Sequence, residues 1–274
     1  PENIIKQFNL ISHPEAVKQV HFPESKTKIE QARKRLAFEE LLLLRLGLTG
    51  LKNRTRNKNS RKITPLTDDE IFKLFPFYLT NAQIRVIKDC LSDMMGDFPM
   101  NRLVQGDVGS GKTAVAAALC HAVAKSGYSS VMLAPTEILA TQHFNTLNSL
   151  FEDFGYKIEL LTGSLSAAEK RRVKDLLKKE KVDILVATHA VLTDDVELPN
   201  TALIITDEQH RFGVSQRATL SQKANSPHTL VMSATPIPRT MGLVVYGDLD
   251  ISIIDELPMG RTPIKSYLIN YHLR

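Results

Sequence analysis

The run Gly106-Asp107-Val108-Gly109-Ser110-Gly111-Lys112-Thr113 is the stretch of this chain best suited to chemistry. It follows the short apolar run Arg102–Leu103–Val104 and opens the helix-forming stretch Ala114–Lys125. A strand that feeds a glycine-rich loop, which in turn feeds a helix N-terminus, aims successive backbone N–H groups at a polyphosphate. Lys112 can then reach the terminal phosphates, and the Thr113 hydroxyl can hold Mg2+. Gly106, Gly109, Ser110 and Gly111 would form the cradle, with Gly109 and Gly111 where backbone must approach phosphate or accept a positive φ. Asp107 would repel phosphate if it pointed inward and is expected to face away. The acidic half is Asp207–Glu208, which ends the apolar run Leu203–Thr206. Asp207 is placed to bind Mg2+ opposite Thr113, and Glu208 to orient and deprotonate an attacking water. An acidic pair alone would only start a loop; beside the phosphate loop it predicts hydrolysis of a nucleoside triphosphate.

Further polar groups end other apolar runs. Ser233-Ala234-Thr235-Pro236 closes one, and its hydroxyls can sense a γ-phosphate through the Asp207–His210 segment. Gln209 and His210 adjoin the hydrolytic pair, and His210 reads either as a relay or as a satisfied structural histidine. Arg239 follows within reach of acidic groups or a phosphate. Thr136, Gly163 and Thr188 stand at three more strand ends. Singly they would be helix caps; together they suit a nucleic-acid backbone held without base reading. The basic residues Lys170, Arg171, Arg172, Lys174, Lys178, Lys179 and Lys181 either extend that positive field or form a solvated helix face.

The elements that must position these residues alternate along the chain. A helix at about 81–95 precedes a strand at 102–105 and the helix at 112–125. Ser130–Ala134, Lys157–Leu161, Val182–Ala187, Ala202–Ile205 and Thr229–Met232 read as strands, several of them β-branched and almost uncharged. Helices are predicted over Glu137–Leu150 and, behind a Ser166/Glu169 capping box, as far as Lys179. Such alternation predicts a mainly parallel α/β sheet with helices on both faces and its ligands at the carboxyl ends of the strands. Residues 1–23 show no clear period. From Glu24 a long helix is expected, with Ala37, Leu41, Leu44 and Leu48 on one side and weakened by Gly47 and Gly50. Lys52–Lys62, rich in Lys, Arg and Asn, reads as a mobile linker or as a phosphate-backbone contact.

Composition excludes little. A net charge of +5 suits an anionic partner but equally a mildly basic enzyme. No apolar run approaches membrane-spanning length. The two cysteines, Cys90 and Cys120, have no metal spacing and read as buried thiols of a reducing compartment. Because the chain starts at Pro1 without an initiator methionine, it is expected to be part of a longer protein.

In their order the motifs resemble superfamily 2 helicases, and in detail the RecG-type bacterial ATP-dependent DNA helicases. The likeness rests on PFYLTNAQ at 76–83, MNRLVQGDVGSGKT at 100–113, APTEILATQH at 134–143, LLTGS at 160–164 and ATHA at 187–190. It continues through TDEQHRFGVSQR at 206–217, MSATPIPRT at 232–240 and YGDLDISIIDELPMGRTPI at 246–264. The transcription-repair coupling translocases share the layout but differ at the acidic box and phosphate loop. They stand as the alternative, with a non-motor ATP-binding regulatory domain behind them.

The resemblance implies a RecA-like P-loop NTPase domain at 65–262, preceded by the end of a wedge domain at 1–48 and a basic linker at 49–64. Residues 263–274 would begin a linker or second motor domain. It further implies that Gln83 contacts adenine, Lys112 the phosphates, and Thr113 with Asp207 the magnesium. Glu208 would be the catalytic carboxylate. Gln209, His210, Ser233, Thr235 and Arg239 would couple hydrolysis to movement, and Thr136, Gly163 and Thr188 would face DNA. The implied activity is the ATP-driven remodelling of forked or branched DNA by a bacterial, cytoplasmic monomer. A second motor domain would supply an arginine finger typically worth 10^3–10^5 in rate. Residues 1–274 alone are therefore expected to bind ATP–Mg2+ weakly and not to translocate.

Overall fold

A computed structural model describes residues 2–55, 60–193, 195–207, 220, 223–234 and 249–258. These fall into two compact units, one holding residues 2–55 and the other the described residues from 60 onward.

The first unit is helical: α1 (Glu2–Gln7), α2 (His13–His21) and α3 (Lys26–Thr55). Two helices replace the aperiodic stretch read from residues 1–23. Their overlooked signal is Ser12-His13-Pro14-Glu15, in which the Ser12 hydroxyl accepts from the Glu15 N–H at 3.3 Å and Pro14 occupies the first turn. Ala16 and Ala32 are fully buried, and the Phe8 ring packs tilted against Phe38 with centroids 4.8 Å apart. Helix α3 passes through Gly47 and Gly50 to Thr55, so residues 49–55 of the expected linker are helical. Each interior glycine costs about 1 kcal/mol relative to alanine, which the surrounding leucines, lysines and arginines offset.

The second unit is built on a sheet in the order β3-β4-β2-β5-β6-β1-β7, in which every pairing is parallel. The strands are β1 (Asn101–Gly106), β2 (Ser129–Leu133), β3 (Ile158–Leu161), β4 (Ile184–Ala187), β5 (Thr201–Thr206), β6 (His228–Ser233) and β7 (Asp250–Ile254). The α-helices described in this unit are α4 (Asp68–Lys73), α5 (Asn81–Met94), α6 (Lys112–Lys125), α7 (Glu137–Leu150) and α8 (Ala167–Lys178), with short 3-10 turns at Glu152–Phe154 and His189–Leu192. Side chains alternate between two cores, as a pleated strand dictates. Met132, Ile184, Val186 and Ile205 join α5, α6 and α7 on one face. Val131, Leu133, Leu185, Ala187 and Ile204 join Val173 and Leu177 of α8 on the other. The doubly covered parallel sheet predicted from the alternation is thus present.

In this unit one α-helix and one strand were not anticipated. Helix α4 begins at a Thr67/Glu70 capping box. Strand β7 ends the described sheet order beside β1, and its Ser252 donates to Asp89 at 3.1 Å and accepts from Arg102 at 2.6 Å. The end of the basic stretch is also anchored. The Arg61 guanidinium donates to the carbonyls of Thr201 and of Pro199 (2.8 Å), over the Tyr128 ring at 5.5 Å. Its own carbonyl accepts from His228 Nε2 at 2.7 Å. Ile63, the apolar residue that follows, is buried.

Candidate active site

Val104 to Gly106 finish β1 in the core and hand the chain to the loop. Gly109 (φ 76°) and Gly111 (φ 84°) take the left-handed conformation. A Cβ on Gly111 would also lie 2.0 Å from Gln83 Nε2, and one on Gly106 would lie 2.5 Å from Ser110 Oγ. The loop therefore demands glycine at both positions for space, and at Gly111 for φ as well. Asp107 is exposed and folds its carboxylate onto the Val108 N–H at 2.8 Å. Lys112 Nζ lies inside the loop, donating to the carbonyls of Gly106 (2.7 Å) and Asp107 (3.0 Å). The Ser110 hydroxyl is buried and has no hydrogen-bond partner among the described residues. A lysine ammonium, a buried hydroxyl with no partner among the described residues and the N-terminus of a 14-residue helix converge on one loop. That donor set fits a polyphosphate.

Gln83 is buried and bolts the loop to α5. Its amide oxygen accepts from the Thr80 N–H at 2.8 Å, its amide nitrogen donates to the Ser110 carbonyl at 2.8 Å, and Thr80 Oγ1 accepts from the Gln83 N–H at 3.2 Å. It is thus both the third-residue partner of a capping box and the brace of the phosphate loop. The two side-chain bonds use one of the amide's two N–H donors and one of its two acceptor positions. The chain returns to this corner through β7: Glu256 accepts from the Ala82 N–H at 3.1 Å, and Arg85 pairs with Asp255 at 2.9 Å.

Asp207 follows β5, its N–H donating to the Leu133 carbonyl at 3.0 Å. In register, Thr206 faces Val231 and Ser233 faces Gln105. Strands β5 and β1 flank β6, so Asp207 stands about 10 Å sideways from the start of the loop, two strand spacings away. Phosphate loop and acidic strand end therefore share one rim, with Ser233 of β6 between them. One oxygen of the Asp207 carboxylate, Oδ2, lies 2.9 Å from His143 Nε2. Thr113 is half-buried in the first turn of α6. Glu208, Gln209, His210, Thr235 and Arg239 lie outside the described residues.

The remaining neutral strand ends occupy the other half of the rim, after β2, β3 and β4. Thr136 caps α7, accepting from the Leu139 N–H at 3.3 Å. The next residue, Glu137, accepts from the Ser164 N–H at 2.8 Å, and hydrogen bonds from the Ser164 side chain first, then from this backbone, hold its carboxyl below the usual range. A Cβ on Gly163 would meet that carboxylate at 2.9 Å. Thr188 is buried, its N–H donating to the Leu161 carbonyl at 3.1 Å. The basic helix α8 is partly neutralised: Arg172 grips Glu159 through two bonds of 2.9 and 2.7 Å, Lys174 pairs with Asp195, and Lys178 pairs with Glu197 at 2.9 Å. Those pairings favour the solvated-face alternative for this helix. Both cysteines are buried, and burial pushes their thiols up to about 12.

A model of the DEAD/DEAH box helicase family matches residues 80–243. The chain is 43% identical over 274 residues to an ATP-dependent DNA helicase RecG of Streptococcus pneumoniae, covering 99% of this chain and 40% of that protein. It is 42% identical over 276 residues to the RecG of Bacillus subtilis, with 100% and 40% coverage. A solved structure of RecG bound to a three-way DNA junction superposes with a TM-score of 0.79 and 40% identity, over 96% of this chain and 36% of that one. The chain thus spans about two fifths of the length of these relatives.

Proposed function

We propose that this chain, which belongs to the DEAD/DEAH box helicase family, is the ATP-binding motor half of a helicase that remodels branched DNA. The observation that carries the proposal is the shared rim: a donor-lined phosphate loop after β1 and a carboxylate after β5, with only β6 between them. Gly106, Gly109, Ser110, Gly111 and Lys112 would hold the triphosphate, and Thr113 with Asp207 a Mg2+ ion. The ion would supply charge neutralisation at the transferred phosphoryl group. Glu208 would take the proton of the attacking water. Gln83, already fixed between α5 and the loop, has one amide N–H and one acceptor position with which to meet adenine. Ser233, at the middle of the rim, would report phosphate occupancy together with Gln209, His210, Thr235 and Arg239.

Thr136, Gly163 and Thr188 follow β2, β3 and β4 on the half of the rim away from the phosphate loop and would contact the DNA backbone. Branched DNA as the substrate, strand separation by a wedge and the need for a second motor domain follow from the likeness to RecG, one example of which was solved on a three-way junction. Residues 65–262 would be the first motor domain, with 1–48 the end of the wedge, 49–64 the connection and 263–274 the start of the next module. Among the described residues no helix is long and apolar enough to cross a membrane. A monomer working in the bacterial cytoplasm would follow from the likeness to RecG alone. The test is ATP turnover on forked and linear DNA by the longer protein that carries this chain with its second motor domain, beside Glu208→Gln. The proposal requires fork-stimulated turnover that Glu208→Gln abolishes while nucleotide still binds. Equal turnover on both DNAs would remove the branched substrate, and unaltered turnover in the variant would remove the catalytic assignment.

A further inference from the structure

Helix α7 buries one stripe, Ala140, His143 and Leu147, at the three- and four-residue spacing of a core-facing helix. Ala140 and Leu147 fill apolar space; His143 does not. Its side chain is 9% exposed and its Nε2 lies 2.9 Å from Oδ2 of Asp207, itself 14% exposed. A carboxylate only accepts, so the hydrogen of this bond sits on Nε2. The bond joins the middle of α7 to the residue that follows β5, and it takes one carboxylate oxygen.

We infer that His143 is a positioning residue for magnesium binding, fixing the rotation of the Asp207 carboxylate from α7. This rests on the proposal that Asp207 is a magnesium ligand. The backbone of Asp207 is already set by its N–H bond to Leu133, so what His143 adds is control of the side chain. A carboxylate free to turn about its last torsion presents either oxygen, or neither, to a metal. One held through Oδ2 by a buried N–H keeps a single rotation. Partners of this kind, lying behind a metal ligand, typically change metal affinity 10–100-fold when removed. A packing role for the ring would predict a different outcome, because losing packed volume lowers stability without singling out the metal.

The test uses the full chain and a fluorescent, non-hydrolysable ATP analogue, with affinity measured against Mg2+ concentration and again in EDTA. His143→Ala should raise the Mg2+ needed for half-maximal tight binding 10–100-fold while changing affinity in EDTA less than about twofold. His143→Gln, whose amide can place an N–H near the position of Nε2, should recover most of the loss. Thermal melts of both variants report packing separately, since Gln and Ala both remove the imidazole. An unchanged Mg2+ requirement in His143→Ala overturns the inference, as does a Gln variant no better than Ala. If the unaltered chain binds the analogue without any dependence on Mg2+, the assignment of Asp207 itself falls and takes this role with it.

Discussion

Gly111→Ala should damage the phosphate loop in two separable ways. A non-glycine residue held at φ 84° costs about 1–2 kcal/mol. The new Cβ would also stand 2.0 Å from Gln83 Nε2, well inside contact distance. Because Gln83 is buried and bonded to Thr80 and Ser110, its amide cannot step aside without breaking those bonds. The cost is about 1–3 kcal/mol for polar groups left unpaired in a buried corner. Gly111→Ala should therefore destabilise by about 2–5 kcal/mol in total, on the sum of those two terms. Gln83→Ala alone loses the same bonds but relieves the clash in advance. Hence the double variant should be more stable than the two single effects predict, by about 1–3 kcal/mol. Urea titrations of the parent, both single variants and the double variant measure this coupling, and nucleotide affinity should follow the same order. Strict additivity would refute the claim that Gln83 braces the loop at Gly111.

Three further outcomes follow from other contacts. His228 takes a hydrogen bond from the Met100 N–H at Nδ1 (2.9 Å) and bonds the Arg61 carbonyl at Nε2 (2.7 Å), and burial pushes its pKa below the ordinary 6.5. The unfolded chain then binds more protons than the folded one, so stability is full above about pH 6.5 and falls as the pH drops below it. Urea midpoints between pH 5 and 7.5 should show this slope, and His228→Asn should flatten it; an unchanged slope would discount His228. Arg61→Lys keeps the charge but cannot span the carbonyls of Thr201 and Pro199 with one planar fork, so it should cost about 1 kcal/mol, read as a melting shift of about 2–4 °C. No shift would mean that this anchor contributes nothing. Cys90 and Cys120, buried with thiols pushed up to about 12, should both ignore a thiol reagent in the native state and both react in denaturant; rapid native labelling of either would contradict their burial.

Much of the fold is legible in the sequence because local signals agree with tertiary context. Helix α7 spans the predicted Glu137–Leu150, and α8 starts at the predicted Ser166/Glu169 box. The β-branched runs at β4 and β5 could only be strands covered on both faces. Strand β7 is harder to read, since Asp250 and Ser252 break its apolar run and Ser252 is buried only through its bonds to Asp89 and Arg102. The mobile linker reading of residues 52–62 rests on composition, which holds no trace of carbonyls 138 and 140 residues away waiting for Arg61. At the site, Lys112 and Asp207 can be placed on one rim from motif spacing alone. His143 cannot, because on its helix it looks like one more core position and its partner comes from a distant strand end. The double duty of Gln83 is only half legible: Thr80-x-x-Gln83 spells a capping box, but the bond to Ser110 exists only once α5 lies beside the loop.

The central claim is that loop and carboxylate hold one nucleotide–metal complex between them. Mn2+ standing in for Mg2+ makes it directly measurable by electron paramagnetic resonance on the full chain with a non-hydrolysable ATP analogue. One tightly bound Mn2+ should appear only when nucleotide is present, and it should be lost in both Lys112→Ala and Asp207→Asn. Tight Mn2+ binding without nucleotide, or binding that survives Asp207→Asn unchanged, would contradict the account.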